Sequence, residues 1–170
     1  LDDLLDVARI EVRTLSMSPE PVRLDELLPA IVALLEPSAA EAGIVLSPPV
    51  GAGCIALADP VRLRQILLNL GSNGIKYGKR GGPVSFVAAP RGDGIRIAVT
   101  DTGLGVPPEH RDRVFEPFYR VRQGTGAPRG AGLGLAVSHR LAEAMGGRMG
   151  LESPPEGGSV FWVELPRPHP

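Results

Sequence analysis

Apolar residues recur along this chain with two different periods, and the switches between them divide it into elements. Leu1, Leu5, Ala8, Val12 and Leu15 fall at alternating four- and three-residue steps, with Leu4 adding to the stripe, which is the pattern of a helix packed in a bundle. Ser16 to Val22 carries two prolines, breaks that pattern and reads as a linker. Asp25 is positioned to cap a helix whose Leu27, Leu28, Ile31, Leu34 and Leu35 face inward, with Pro37 as a kink and Gly43 as a stop. Ile44–Leu46 and Cys54–Leu57 are predicted strands joined by a Pro/Gly-rich turn. Asp59 at the cap and Pro60 at the first helical position then open a helix with Leu63, Ile66, Leu67 and Leu70 on its apolar face.

Beyond that helix the period drops to two. Val84, Phe86 and Ala88 alternate in one strand and Ile95, Ile97 and Val99 in the next, around a turn from Pro90 to Gly94. A helical pattern returns over Leu133 to Met145 and is closed by Gly146-Gly147. A last hairpin joins Met149–Glu152 to Val160–Leu165 around Pro154 to Gly158. The sum is an α+β fold: a two-layer sandwich with a sheet of about five strands, mixed but mostly antiparallel, and helices on one face. The division expected is residues 1–16 as the end of a bundle helix, 17–22 as linker and 23–170 as one domain.

Composition narrows the function classes. The 170 residues suffice for one domain and a real core, which at 4% aromatics must be mostly Leu, Val, Ile and Ala. With 18 basic against 19 acidic residues, the charge balance shows no nucleic-acid or membrane-surface footprint, so any phosphate affinity must come from local geometry. A lone Cys54 excludes an internal disulfide and reads as a small core residue. No apolar run approaches a membrane span and no signal peptide opens the chain, so a soluble, cytoplasmic fragment is expected, whatever anchors its parent.

Chemistry concentrates in the run LRQILLNLGSNGIKY. At about 100° per residue, Asn69, Asn73 and Lys76 share a narrow stripe apart from the apolar face. Amide oxygens can ligate a hard cation and an ammonium one turn on can meet phosphate, so the stripe suits a metal nucleotide; an amide-rich surface helix is the plainer alternative. Asp101 stands where an alternating strand ends in Asp101-Thr102-Gly103-Leu104-Gly105. Its carboxylate accepts only, which suits the exocyclic amine of adenine and rejects a guanine carbonyl; an ordinary Asp-Gly turn would carry the same residues. Gly103 and Gly105 let the backbone approach a base or take positive φ. Gly130, Gly132 and Gly134 precede a helix without the lysine of a P-loop and without the spacing of a dinucleotide fingerprint, yet amides at such a helix start can cradle phosphate oxygens.

These segments, in this order with Val114-Phe115-Glu116-Pro117-Phe118-Tyr119-Arg120 and with Asp59-Pro60-x-Arg62-x-x-Gln65 opening the first asparagine helix, resemble the catalytic, ATP-binding domain of sensor histidine kinases. More broadly they resemble the ATPase superfamily of gyrase B, Hsp90 and MutL. The resemblance covers nearly the whole chain and implies a Bergerat-type ATP-binding fold, with LLDVARIE at the end of the dimerisation and histidine-phosphotransfer helix. It implies ATP and Mg²⁺ as cofactors, Asp101 on adenine, and Asn73 with help from Asn69 on the metal. Lys76, Arg120 and the amides around Gly132, Leu133 and Gly134 would meet phosphate, and Tyr77 would line the phosphate or ribose side or simply pack. Gly124 to Pro128 resembles a short ATP lid, with Phe115 and Phe118 packed beneath it. Ala131 departs from the Thr or Ser common at that place.

The implied activity is transfer of the ATP γ-phosphate to a histidine on an upstream domain, since His110, His139 and His169 lack the family's acceptor context. The implied partners are that phosphotransfer domain, a response regulator and a second copy joined through the helical domain; no nucleic acid and no direct membrane contact are expected. A pseudokinase scaffold of the same fold is the alternative. A gyrase- or Hsp90-type ATPase fits less well, because Arg62 to Asn73 lacks the glutamate that activates water in those proteins.

Overall fold

The computed structural model describes residues 16–121 and 132–170. The expected bundle helix before Ser16, the lid segment Gly124–Pro128, Gly130 and Ala131 lie outside the described residues. Strand β1 (Glu20–Arg23) leads into helix α1 (Leu24–Ala42), followed by β2 (Val45–Leu46), β3 (Ile55–Ala58) and helix α2 (Pro60–Tyr77). Strands β4 (Pro83–Arg91) and β5 (Gly94–Asp101), a 3₁₀ turn at Pro108–His110, helix α3 (Gly134–Ala144), and strands β6 (Arg148–Glu152) and β7 (Ser159–Pro166) complete the order.

The main sheet has five strands in the order β2-β4-β5-β7-β6. Its β2–β4 pair is parallel and the rest are antiparallel. Alternation fixes which side is covered. Val84, Phe86 and Ala88 of β4, Ile95, Ile97 and Val99 of β5, and Phe161, Val163 and Leu165 of β7 are all buried, and they form one core with Leu28 and Ile31 of α1, Leu63, Ile66, Leu67 and Leu70 of α2, and Leu141 of α3. This is the expected two-layer sandwich with helices on one face.

Three local expectations are corrected. Leu34, expected to face inward, stands 53% exposed. Part of the stretch read as linker is strand: β1 pairs antiparallel with β3, Pro21 opposite Leu57, in a small sheet of its own. Proline is tolerated there because a two-stranded ribbon leaves an edge where its missing N–H costs no ladder bond. The cap of α1 is also Arg23 and not Asp25. The ribbon delivers Arg23 in extended geometry directly into Leu24, no side chain caps the helix, and Asp25 instead meets the Arg23 guanidinium at 2.9 Å. That helix runs through Pro29 and Pro37 and stops at Gly43 in left-handed geometry, as expected.

Helix α2 starts as its sequence dictates. Asp59 Oδ1 accepts the backbone N–H groups of Val61 at 3.0 Å and Arg62 at 3.2 Å, while Oδ2 accepts that of Ser18 at 3.0 Å. Burial alone would raise the pKa of this carboxyl, but the three amides outweigh it and hold it below the ordinary range. The glycines of α2 prove to be packing residues. A Cβ on Gly71 would sit 2.4 Å from Leu35 Cδ1 and 2.7 Å from Phe86 Cζ, so their absence of side chain sets how closely α2 approaches α1 and β4.

Candidate nucleotide site

Three pieces of chain converge beside α2: the end of β5 with its following turn, the turn before β7, and the start of α3. The alternation of β5 puts Asp101 on the same side as Ile97 and Val99, facing the helices, and it is only 6% exposed. Its Oδ1 accepts the Gly103 N–H at 2.8 Å. Burial raises the pKa of the carboxyl, and backbone hydrogen bonds from Gly103 and from Ser159, its partner across the ladder, pull the other way without cancelling. A buried acceptor of this kind is costly unless something donates to it.

The walls around Asp101 are backbone. A Cβ on Gly103 would lie 1.9 Å from the Tyr77 carbonyl oxygen, and one on Gly158 would lie 2.1 Å from the Asp101 carbonyl oxygen. The Gly158 N–H donates to the Gly103 carbonyl at 2.9 Å. Gly105 has φ of 75° and packs against the Gly158 carbonyl. Above Asp101 passes the Gly74 turn of α2, whose Cβ position is 3.9 Å from Asp101 Cβ. Asn73 beside it is half-buried, Lys76 is exposed, and Tyr77 contributes its backbone to the wall while its side chain stands 50% exposed.

One turn earlier on α2, Asn69 meets the start of α3. Its Nδ2 donates to Ser138 Oγ at 2.8 Å. Gly132, in left-handed geometry at φ of 73°, accepts the Phe118 N–H at 3.0 Å, and its Cβ position is 3.1 Å from Arg120 Cγ. Leu133 is buried and leads into Gly134, the first residue of α3. Of the expected residues, Gly103 and Gly105 line the Asp101 pocket beside the Asn73–Gly74 turn, Gly134 lies against Asn69, and Gly132 lies against Arg120.

Of the two rings expected beneath the lid, Phe115 packs on Phe161 and His139, with centroids 6.3 and 5.0 Å apart. Phe118 does not pack: it is 62% exposed with φ of 65°. Its backbone N–H is the one that donates to the Gly132 carbonyl. Tyr119, next to it, is half-buried, hydrogen-bonded to His110 and stacked under Arg113 at 4.4 Å. Among the histidines, His139 lies against Phe115 and 3.8 Å from Glu143, and His169 is exposed near the end of the sequence.

Sequence reasoning missed Ser138 and Gly158. A lone hydroxyl inside the apolar stripe of Ala136, Val137, Leu141 and Ala142 was the available signal for the first. The second belonged to a turn whose glycines looked interchangeable.

The described residues contain no group of three His, Cys, Asp or Glu that could hold a metal. A cation here would therefore rest on amide oxygens and on the oxygens of a bound phosphate, the mode that suits Mg²⁺.

The model of the histidine kinase-, DNA gyrase B- and HSP90-like ATPase family matches residues 58–169. The chain belongs to this family, and the relatives it matches are named as sensor proteins and sensor histidine kinases. It is 36% identical over 175 residues to the sensor protein GacS of Pseudomonas syringae pv. syringae, covering 99% of this chain and 19% of the relative. It is 37% identical over 177 residues to the sensor histidine kinase RcsC of Escherichia coli K12, covering 98% and 18%. The chain thus spans about a fifth of the length of these relatives. Among solved structures, full-length ShkA in complex with AMPPNP superposes with a TM-score of 0.83 at 39% identity, covering 97% of this chain and 34% of that one. The mycobacterial sensor histidine kinase MprB gives 0.76 at 27% identity, covering 89% and 100%.

Proposed function

We propose that this domain binds Mg·ATP and passes the γ-phosphate to a histidine of a helical domain that precedes it, with residues 1–16 as the end of that domain, 17–22 as the linker, its end paired with β3 as part of β1, and 23–170 as the catalytic unit. The observation that carries this reading is Asp101: a buried carboxylate, ringed by backbone at glycines 103 and 158, in a family of ATPases. An acceptor in that setting suits the 6-amino group of adenine and rejects the carbonyl that guanine carries at the same position.

Asn73, with Asn69, offers amide oxygens to the cation, while Lys76, Arg120 and the amides at Gly132, Leu133 and Gly134 face the phosphates. Mg²⁺ when bound neutralises charge on the β- and γ-phosphates. The chain's own contribution is to orient the nucleotide and lower the cost of charge on the transferred group. In the transfer an imidazole nitrogen forms the bond to Pγ, the bond from Pγ to the β,γ-bridging oxygen breaks, and ADP leaves with that electron pair. The engagement of His110 with Tyr119 and of His139 with Phe115 supports an acceptor other than these two histidines. We assign the wider setting to a cytoplasmic domain of a homodimeric kinase that passes its phosphate to a response regulator.

Calorimetric titration with ATP, ADP and GTP tests the base pocket: the wild type should prefer adenine nucleotides, and Asp101→Ala should lose roughly tenfold or more in affinity, the worth of one charge-assisted hydrogen bond. Radiolabelled ATP tests the transfer. This chain alone should take up no acid-labile label, whereas a longer chain carrying the preceding helical domain should. Tight nucleotide binding without labelling of the longer chain would instead mark a pseudokinase.

A further inference from the structure

Resting on the reading of Asn69 as a residue of the nucleotide site, we infer that Ser138 is a positioning residue that decides which end of the Asn69 carboxamide faces the bound metal nucleotide. A carboxamide has a donor end and an acceptor end of nearly the same shape, and a half-turn about its last bond exchanges them. Only the oxygen can serve a cation, and only the nitrogen would donate to a phosphate oxygen. An asparagine beside a metal nucleotide therefore needs something to fix its sense.

Ser138 supplies it. Its side chain is 0% exposed, its neighbours on α3 are Ala136, Val137, Leu141 and Ala142, and its Oγ lies 2.8 Å from Asn69 Nδ2. Water cannot compete at that depth, and a serine within a helix has the carbonyl of the preceding turn for its own proton, which leaves the hydroxyl oxygen to accept. The hydroxyl thus holds the nitrogen of Asn69 and leaves its oxygen, which lies against the first residue of α3, as the end not spent on Ser138. Gly134 closes the remaining freedom. A Cβ there would sit 2.4 Å from Asn69 Oδ1 and 2.7 Å from Nδ2, so the carboxamide lies against the bare Cα of the first residue of α3. Asn69, Ser138 and Gly134 form one unit that ties the asparagine helix to the glycine-led helix at the phosphate end.

The test is ADP affinity by calorimetry, with Mg²⁺ and with EDTA, for wild type, Ser138→Ala, Ser138→Thr, Asn69→Ala and the Ser138→Ala/Asn69→Ala pair. Ser138→Ala should keep metal-free affinity but lose roughly tenfold of the Mg²⁺-dependent gain, the scale of a lost partner behind a metal ligand. Ser138→Thr, which keeps the hydroxyl, should restore it, and the double variant should be no worse than Asn69→Ala alone, because both act through one group. Equal loss with and without Mg²⁺, or full Mg²⁺ dependence in Ser138→Ala while Asn69→Ala loses it, overturns the inference and leaves the site intact. Full Mg²⁺ dependence in Asn69→Ala overturns it by removing Asn69 from the metal. A wild type that binds no ADP in either condition overturns both the inference and the function on which it rests.

Discussion

Gly103 and the carbonyl of Tyr77 are so close that the smallest side chain at position 103 would stand 1.9 Å from that oxygen. The turn after β5 and the last turn of α2 therefore meet backbone to backbone, and the Gly103 N–H that reaches Asp101 is aimed by this contact. Gly103→Ala should cost about 1–3 kcal/mol of stability through overpacking. It should also weaken ADP binding as Asp101 loses its brace. Thermal unfolding and ADP titration check both; an unchanged midpoint and affinity would mean that the turn yields freely.

Asp101 itself should show a trade between stability and binding. Its carboxyl is raised by burial, more than the Gly103 and Ser159 amides lower it. A folded state that holds its proton more tightly than the unfolded chain loses stability as pH rises from the ordinary carboxylate range through the raised value, and the loss is constant above it. Asp101→Asn cannot ionise, so it should unfold at a higher temperature than wild type at pH 7, and the gain should vanish toward acid pH. Its ADP affinity should fall roughly tenfold as the charge assistance disappears.

Gly71→Ala separates helix propensity from packing. In an exposed helix the change should stabilise by about 1 kcal/mol. Here the added methyl meets Leu35 and Phe86, and overpacking of about 1–3 kcal/mol should win. A denaturant midpoint below that of wild type is expected; a higher one would show that α1 can retreat without cost.

On the far side of the sheet, Glu164 is held by Arg148 at 2.6 Å and Arg96 at 2.7 Å. Burial alone would raise its pKa, but these two guanidiniums outweigh it and hold it low. The resulting stability is present above the ordinary carboxylate range and is lost as pH falls through the lowered value. Glu164→Gln should cost about 1 kcal/mol at pH 7, with the difference from wild type closing in acid. Melting curves at a series of pH values would show it.

Much of this architecture could be read from the chain because its signals are local. Asp59-Pro60 carries its own cap, and the period-two runs of β4 and β5 name their buried faces without knowledge of neighbours. What escaped depends on contacts distant in sequence. Two prolines hid β1, since only pairing with β3 makes Pro21 an edge residue. Gly71 and Gly74 are poor helix formers within α2, and the reason for them lies in Leu35, Phe86 and Val84, which pack where their side chains would stand. Asn69 and Asp101 were visible by type and spacing, but Ser138 gained meaning only when α3 was laid against α2.

Trp162 is the only tryptophan in the chain. It lies across Gly150 on the face of the sheet away from the helices, with the Arg96 guanidinium 4.0 Å from its ring centre. That makes it a built-in optical reporter with a restricted field of view. Its emission should track loss of the β5–β7–β6 ladder during denaturation and stay nearly silent when a nucleotide enters on the opposite side, so one fluorophore can follow folding during a titration without interference from occupancy.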